Sequence, residues 1–328
     1  MQPLSTSSIQ SVFLDQIRQI LPKNLSFPDE LAEVLNVSRD SVYRRIRGET
    51  ILSLEEVKKL CGHYKISLDA LLSPTNEIVS FRKRRVDSTN FTLEKWLASI
   101  LNDLTGLEAA ENKEIVFSAK DIPIPYYFKF TNLAQFKFFF WLKSYQRHPK
   151  FDAMMKYDPA MVSQQLLELG KKIWDKFILI PSSEIFSEET FNVTVRQVQF
   201  YYENGFIGIA EVKALIDEYL TMIEEIRKSA AQGTKFGGGA FKLYYNEFLI
   251  TNTTYLFKVG ERRIASIAYD ALNILTTTQE SFCRETEEFL NNVINKSTLI
   301  STVGERERNK FFNQVEKRIV ERRDYLRH

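Results

Sequence analysis

Between Phe27 and Gly48 the chain is punctuated so closely that few conformations remain open to it. Pro28 suits a first helical turn, where its missing N–H would lack a partner anyway. Pro28 to Leu35 therefore reads as a short helix, with Leu31 and Leu35 on one face. Asn36 follows, and Asn tolerates the left-handed conformation that a sharp exit requires. Ser38 is a good N-cap, because its hydroxyl can accept from the free N–H groups of the next turn. A second helix then runs from Arg39 to Arg47, and Gly48 closes it as a left-handed cap. Small Ala32 stands where two helices must approach closely. Leu31, Leu35, Val37, Val42 and Ile46 supply one apolar seam. With Val42 and Ile46 turned inward, the opposite side of the second helix carries Asp40, Ser41, Arg44 and Arg47. Tyr43 flanks that side, and Arg39 lies at the helix start.

Two short helices with a turn of about three residues between them have helix-turn-helix geometry. Residues 31–48 (LAEVLNVSRDSVYRRIRG) resemble the core motif of the Cro/C1-type, Xre-like helix-turn-helix family. Residues 53–61 (SLEEVKKLC) resemble its fourth helix, and residues 66–72 (ISLDALL) its closing helix. The resemblance covers about a fifth of the 328 residues. It departs from the family at three positions. Pro28 stands where a phosphate-touching Gln is usual, Asn36 where glycine is common, and Arg45 where an apolar residue is expected, with Ile46 taking the buried role one position on.

The resemblance implies a five-helix DNA-binding domain over residues 1–72, with its second motif helix in the major groove of double-stranded DNA. Arg bonds bidentately to guanine and Asp accepts from cytosine. Arg39, Asp40, Tyr43 and Arg44 are therefore expected near bases, with Ser41 on the same face. Ser38, Arg45 and Arg47 are expected nearer phosphates, which position without specifying. Such domains make few contacts alone and usually pair on two half-sites, so a homodimer is expected. Residues 38–48 hold four Arg against one Asp. A merely solvated helix face could carry the same charge run, but not caps, turn and seam in register with it.

Charge over the whole chain adds nothing to this argument. It has 44 Lys+Arg against 42 Asp+Glu, a net +2, so the case for nucleic acid rests on the local arginines. Beyond them, residues 73–91 hold Pro, Ser, Asn and the basic run Arg82-Lys83-Arg84-Arg85, a linker composition that could also touch DNA backbone. From Thr92 the chain is rich in Phe, Tyr and Leu. Apolar spacing predicts helices over 94–107, 133–145, 163–179, 189–202, 209–229, 271–275, 280–295 and 305–326. Residues 114–119 read as a buried strand, and 241–250, 253–259 and 262–268 as three more, the last two joined by a hairpin at Gly260-Glu261. The expected fold is thus mainly α. An N-terminal five-helix helix-turn-helix domain precedes a larger helix-rich α+β domain with a small sheet, residues 92–328, assigned to self-association and effector sensing.

Other readings are weaker. The aromatic run Phe136, Phe138, Phe139, Phe140 and Trp141, with Tyr126, Tyr127 and Phe128, fills a core or lines a ligand pocket. Residues 233–239 (GTKFGGG) lack a phosphate-loop ending and read as a mobile loop. The amphipathic C-terminal helix, with Phe311, Phe312, Val315, Ile319 and Val320, reads as core or dimer seam. Only Cys61 and Cys283, and only His63, His148 and His328, are present. No metal-ligand spacing or catalytic triad can be drawn from them, so no catalytic residue, metal or cofactor is assigned and no enzyme is expected. No apolar stretch is long enough to span a membrane, and the N-terminus has no secretory pattern, which fits a cytoplasmic protein. The plan resembles two-part bacterial regulators of transcription, with room for a small-molecule or peptide effector. The rival readings are an enzyme or a protein-interaction adaptor tethered by its helix-turn-helix.

Overall fold

The computed structural model describes residues 8–21, 25–64, 66, 68, 78–83, 92–145, 148–153, 156–248 and 250–325. The chain divides into two compact units, Met1–Ser80 and Phe81–His328.

The first unit has four helices among the described residues: α1 (Ile9–Ile20), α2 (Phe27–Leu35), α3 (Arg39–Ile46) and α4 (Leu54–Tyr64). The closing helix expected over 66–72 lies almost wholly outside the described residues. One small core joins the four. Phe13, Leu14 and Ile17 of α1 meet Phe27, Leu31 and Leu35 of α2, Val42 of α3, Leu52, and Leu60 of α4. Ile46, Val37 and Ala32 pack at its margin.

The second unit is a mixed sheet packed by helices. Its elements are β1 (Arg82–Lys83), α5 (Leu93–Glu108), β2 (Lys113–Ala119), α6 (Ile124–Tyr127), α7 (Thr131–Phe140) with a π turn over Trp141–Tyr145, and α8 (Pro149–Asp152). Then come α9 (Gln164–Phe177), β3 (Ser182–Phe186), a 3-10 turn over Glu188–Phe191, α10 (Asn192–Glu203), α11 (Ile209–Gln232) and β4 (Phe241–Tyr245). The last are β5 (Thr254–Val259), β6 (Arg262–Ala268), β7 (Ile274–Thr277), α12 (Glu280–Asn295), β8 (Thr298–Leu299) and α13 (Glu305–Tyr325). The strand order is β1-β7-β6-β5-β2-β3-β4-β8. Strands β2, β3 and β4 are parallel and joined through helices, as parallel neighbours must be. The other pairs are antiparallel.

Strand alternation sorts the two faces. Ile115, Phe117 and Ala119 of β2, Phe186 of β3, and Phe241 and Leu243 of β4 enter the large core with the helices. Val116, Ile185 and Leu256 face the other way, against Leu290 of α12. The aromatic run lies in the large core. Tyr126, Tyr127, Phe136, Phe138 and Phe139 are at most 1% exposed, so these rings fill space rather than line a ligand pocket. Phe311, Phe312, Val315 and Ile319 of α13 join the same core.

Several expectations are corrected. Residues 271–275 are not a helix. Asp270 Oδ1 accepts from the N–H groups of Leu272 and Asn273, making a tight side-chain turn, and Ile274 starts strand β7 beside β6. The strand expected to run to Ile250 stops at Tyr245, where the Asn246 side chain turns the chain. Residues 233–239 are not a mobile loop. Lys235 is fully buried there, its ammonium donates to Ile180 O, and a Cβ on Gly238 would lie 2.3 Å from Ile178 O. Arg82 and Lys83, expected in a linker, pair with Thr276 and Leu275 as an edge strand, while Arg84 and Arg85 lie outside the described residues. The hairpin at Gly260-Glu261 forms as expected, with Gly260 at φ +58 and Val259 opposite Arg262. Among the described residues, no helix is long and apolar enough to cross a membrane.

Candidate nucleic-acid interface

The turn between α2 and α3 is fixed at both ends by backbone and cap hydrogen bonds. Asn36 takes φ 56, ψ 51 and its N–H reaches Glu33 O, while the Val37 N–H reaches Ala32 O. That pair of bonds is a Schellman closure with Asn in the left-handed position. Two residues later the Ser38 hydroxyl accepts from the Ser41 N–H at 3.3 Å and so caps α3. At the far end the Gly48 N–H reaches Arg45 O and the Glu49 N–H reaches Arg44 O, with Gly48 at φ +76. The second helix is thus closed by the same motif, this time on glycine. Both ends of α3 are defined, and Val42, 0% exposed, fixes its rotation.

A residue that the sequence did not single out holds the unit around α3. Gln10 of α1 donates its amide to Arg45 O and Thr50 O, and its own carbonyl accepts from the Leu52 N–H, all at 2.8 Å. One side chain therefore ties α1 to the end of α3 and to the chain entering α4.

The exposed face of α3 presents Arg39, Asp40, Tyr43 and Arg44, with Ser41 half-buried among them. Four of the residues assigned to bases therefore stand in solvent on one helix. Of these, Tyr43 is 44% exposed and offers both ring and hydroxyl. The arginines differ sharply in what they already hold. Arg39 is hydrogen-bonded to Asp29 in the first turn of α2. That contact, with a further hydrogen bond from Ser26, holds the Asp29 carboxyl below the ordinary carboxylate range. Arg47 donates to Glu49 through two nitrogens, at 2.6 and 3.0 Å. Arg45 grips Glu56 of α4 and also donates to Ser41 O at 3.0 Å. Among the described residues, Arg44 is the arginine of this segment whose guanidinium has no ion pair or hydrogen bond.

This arrangement revises the expected charge. Three of the four arginines are matched by Asp29, Glu49 and Glu56. The Arg39 and Arg47 pairs are solvent-exposed, and such pairs exchange readily for a phosphate or a base. The Arg45 pair is half-buried, with side chains 15% and 16% exposed. Arg45 thus stands where the family keeps an apolar residue because its charge is spent inside the domain. It does not stand free for a phosphate. Glu56 had a readable signal, since Ser53-Leu54-Glu55-Glu56 spells a capping box. Asp29 had none: nothing in sequence links it to a residue ten positions on.

Residues 15–71 match the family described as a helix-turn-helix. No curated protein and no solved structure matches the chain. The match spans α2, the turn, α3 and α4, and the chain carries an N-terminal helix-turn-helix DNA-binding domain of the Cro/C1 type.

Proposed function

We propose that this helix-turn-helix makes the chain a sequence-specific transcriptional regulator, dimeric on DNA, with α3 lying in the major groove. The observation that carries the reading is the exposed row Arg39, Asp40, Tyr43 and Arg44 on a helix whose two ends and rotation are fixed. Arg44 is its uncommitted cation and reads guanine, Asp40 accepts from cytosine, and Tyr43 packs on base edges. Arg39 reaches a base edge by leaving Asp29, Arg47 reaches phosphate by leaving Glu49, and Ser38 contacts backbone at the helix start. Arg45 positions the reading helix from within. Two copies place their helices on half-sites about 34–36 Å apart, with the second unit, Phe81–His328, supplying self-association. The protein works in the cytoplasm by occupying DNA, without a chemical step and without a cofactor.

A salt-series titration on pooled random duplexes, wild type against Arg44→Ala, tests the reading. Selection of a sequence that the variant fails to bind supports it. Weak, unselected binding that vanishes at modest salt in both proteins would leave only a basic surface.

A further inference from the structure

In the second unit, on the face of the sheet that carries α12, lies a groove of about 350 Å³. That volume falls in the range of small-molecule sites. Its floor is two strand residues directly opposite each other, Ser118 of β2 and Thr254 of β5. One wall is the crossover from β4 to β5, with Asn246, Phe248, Ile250, Thr251 and Asn252, and the other is the end of α12, with Phe289, Asn292, Val293 and Lys296.

The polar groups of this groove are largely unspent. Ser118 is 3% exposed as a residue, and its hydroxyl, which makes no hydrogen bond among the described residues, is the atom that meets the groove. Half-buried Thr254 and exposed Asn252 and Asn292 have no side-chain partner among the described residues, and the exposed Lys296 ammonium has no ion pair there, so all four face the groove free to bind. Asn246 differs, because it is spent on the wall itself. Its amide donates to Ser297 Oγ at 2.9 Å and its carbonyl accepts from the Phe248 N–H at 2.8 Å. The two ends of this wall are tied to the sheet as well: the Asn246 N–H donates to Phe186 O, and the Thr253 hydroxyl accepts from the Lys120 N–H. The crossover is thus anchored at both ends, at Asn246 and at Thr253.

Position and chemistry agree. Asn246 follows the end of β4, and Ser118 lies one residue before the end of β2, so the groove opens at the carboxyl ends of parallel strands, where open sheets take their ligands. Three hydroxyls, of Ser118, Thr251 and Thr254, and the two uncommitted amides of Asn252 and Asn292 offer paired donors and acceptors. Lys296 offers one positive charge, the described lining residues include no carboxylate, and Phe248 and Phe289 stand 69% and 52% exposed at the rim. Amides and hydroxyls set between exposed rings suit a hydroxylated ring, and the single lysine suits one anionic group on it. We propose that this groove binds a small sugar carrying a phosphate or a carboxylate, with Lys296 on the anion and Ser118, Thr254, Asn252 and Asn292 on the hydroxyls. This site stands apart from the DNA-binding reading, and its test needs no DNA.

The test uses the full chain, with melting temperature and titration calorimetry against glucose 6-phosphate, ribose 5-phosphate, glucuronate, galacturonate, glucose and inorganic phosphate. Binding of a sugar phosphate or sugar acid, with glucose and phosphate alone much weaker, is expected. Preference between the two charged sets identifies the anion. Lys296→Ala should weaken the bound member about tenfold and leave any weak glucose binding unchanged. Ser118→Ala, which keeps the strand packing, should weaken charged and neutral sugars alike. No response to any charged sugar overturns the proposal, and so does a response that both variants retain, since the ligand would then sit elsewhere. A melting temperature matching wild type without ligand shows that each variant is folded.

Discussion

Arg45 of α3 and Glu56 of α4 form a two-pronged ion pair, Nη2 to Oε1 at 2.7 Å and Nε to Oε2 at 3.3 Å. The same Glu56 carboxylate accepts from the Ser53 N–H at 2.9 Å, while Ser53 Oγ accepts from the Glu56 N–H at 3.2 Å. One glutamate thus completes the capping box that starts α4 and clamps the helix proposed to read DNA. The angle between α3 and its support depends on a charge pair where related domains are expected to use an apolar contact.

Acid should loosen this joint. Burial alone would raise the Glu56 carboxyl, but hydrogen bonds from Arg45 and Ser53 and the charges of Arg45 and Lys59 outweigh it and hold it below its ordinary value of 4.5. A carboxyl lowered by folding contributes stability that is whole above that ordinary value and is lost as pH falls through the lower, folded one. The protection of α3 and α4 against amide exchange, taken relative to the intrinsic rate at each pH, should therefore fall below about pH 4.5. Glu56→Gln should lose about 1 kcal/mol of protection at neutral pH. Exchange that is equal in variant and wild type would show that the pair does not fix α3.

DNA affinity should follow the pairing of the arginines more closely than their number. Arg44→Ala removes the uncommitted guanidinium and should cost about 1–3 kcal/mol of specific binding. Arg45→Ala should leave the salt dependence of binding nearly unchanged, because its charge already faces Glu56. Asp29→Asn should tighten binding severalfold at low salt, since it releases Arg39 and removes a carboxylate from beside it. Fluorescence anisotropy on one selected duplex over a salt series measures all three. An Asp29→Asn protein that binds more weakly than wild type would show that the carboxylate orients Arg39 for DNA instead of restraining it.

How much of this was readable depends on range. Pro28, Asn36, Ser38 and Gly48 act within a few residues of themselves, and each stands in the structure where local chemistry puts it. Partners distant in sequence were hidden. Gln10 reaches 35 to 42 residues to hold α3, and no periodicity announces that. Strand β3, Ser182-Ser183-Glu184-Ile185-Phe186, escaped for a related reason. It lies between parallel neighbours and is buried on both faces, yet it carries two serines and a glutamate, so neither an apolar run nor alternation marks it. Short β7 was masked by its leucine and alanine neighbours, which spell a helix locally and are overruled by pairing with β6. The groove beside α12 was equally unreadable, since Ser118, Thr254 and Lys296 meet only through the sheet.

Asn36 offers a sharp test of the turn. Its φ of 56 is left-handed, a conformation that costs a residue with a Cβ roughly 1–2 kcal/mol unless a short polar side chain relieves it. Asn36→Ala should destabilise the first unit by about 1 kcal/mol, and Asn36→Gly should be neutral or slightly stabilising. Amide exchange in α2 and α3 reads both. Equal stability of the alanine and glycine variants would mean that the turn rearranges freely and that the placement of α3 does not depend on it.

The cost of the buried glutamate in β3 is the last thing to test. Glu184 and Lys235 are both 0% exposed and stand 3.4 Å apart. Burial raises the Glu184 carboxyl, and burial lowers the Lys235 ammonium to about 8 against the pull of its partner. The carboxylate is otherwise satisfied by Ser182 Oγ at 2.7 Å and the Tyr126 hydroxyl at 2.9 Å, and the ammonium also sits 3.8 Å above the Phe177 ring. Removing one charge strands the other. Lys235→Met should therefore cost about 3–5 kcal/mol, whereas Glu184→Gln/Lys235→Met, whose amide oxygen accepts from one of the Ser182 and Tyr126 hydroxyls and whose NH2 donates to the other, should recover much of it. Trp96, Trp141 and Trp174 are the chain's three tryptophans and all lie in the second unit, so urea unfolding followed by tryptophan fluorescence reports on that unit alone. A double variant no more stable than Lys235→Met would mean that the lysine is held for its packing on Phe177 and against Ile180 O, and that its charge is incidental.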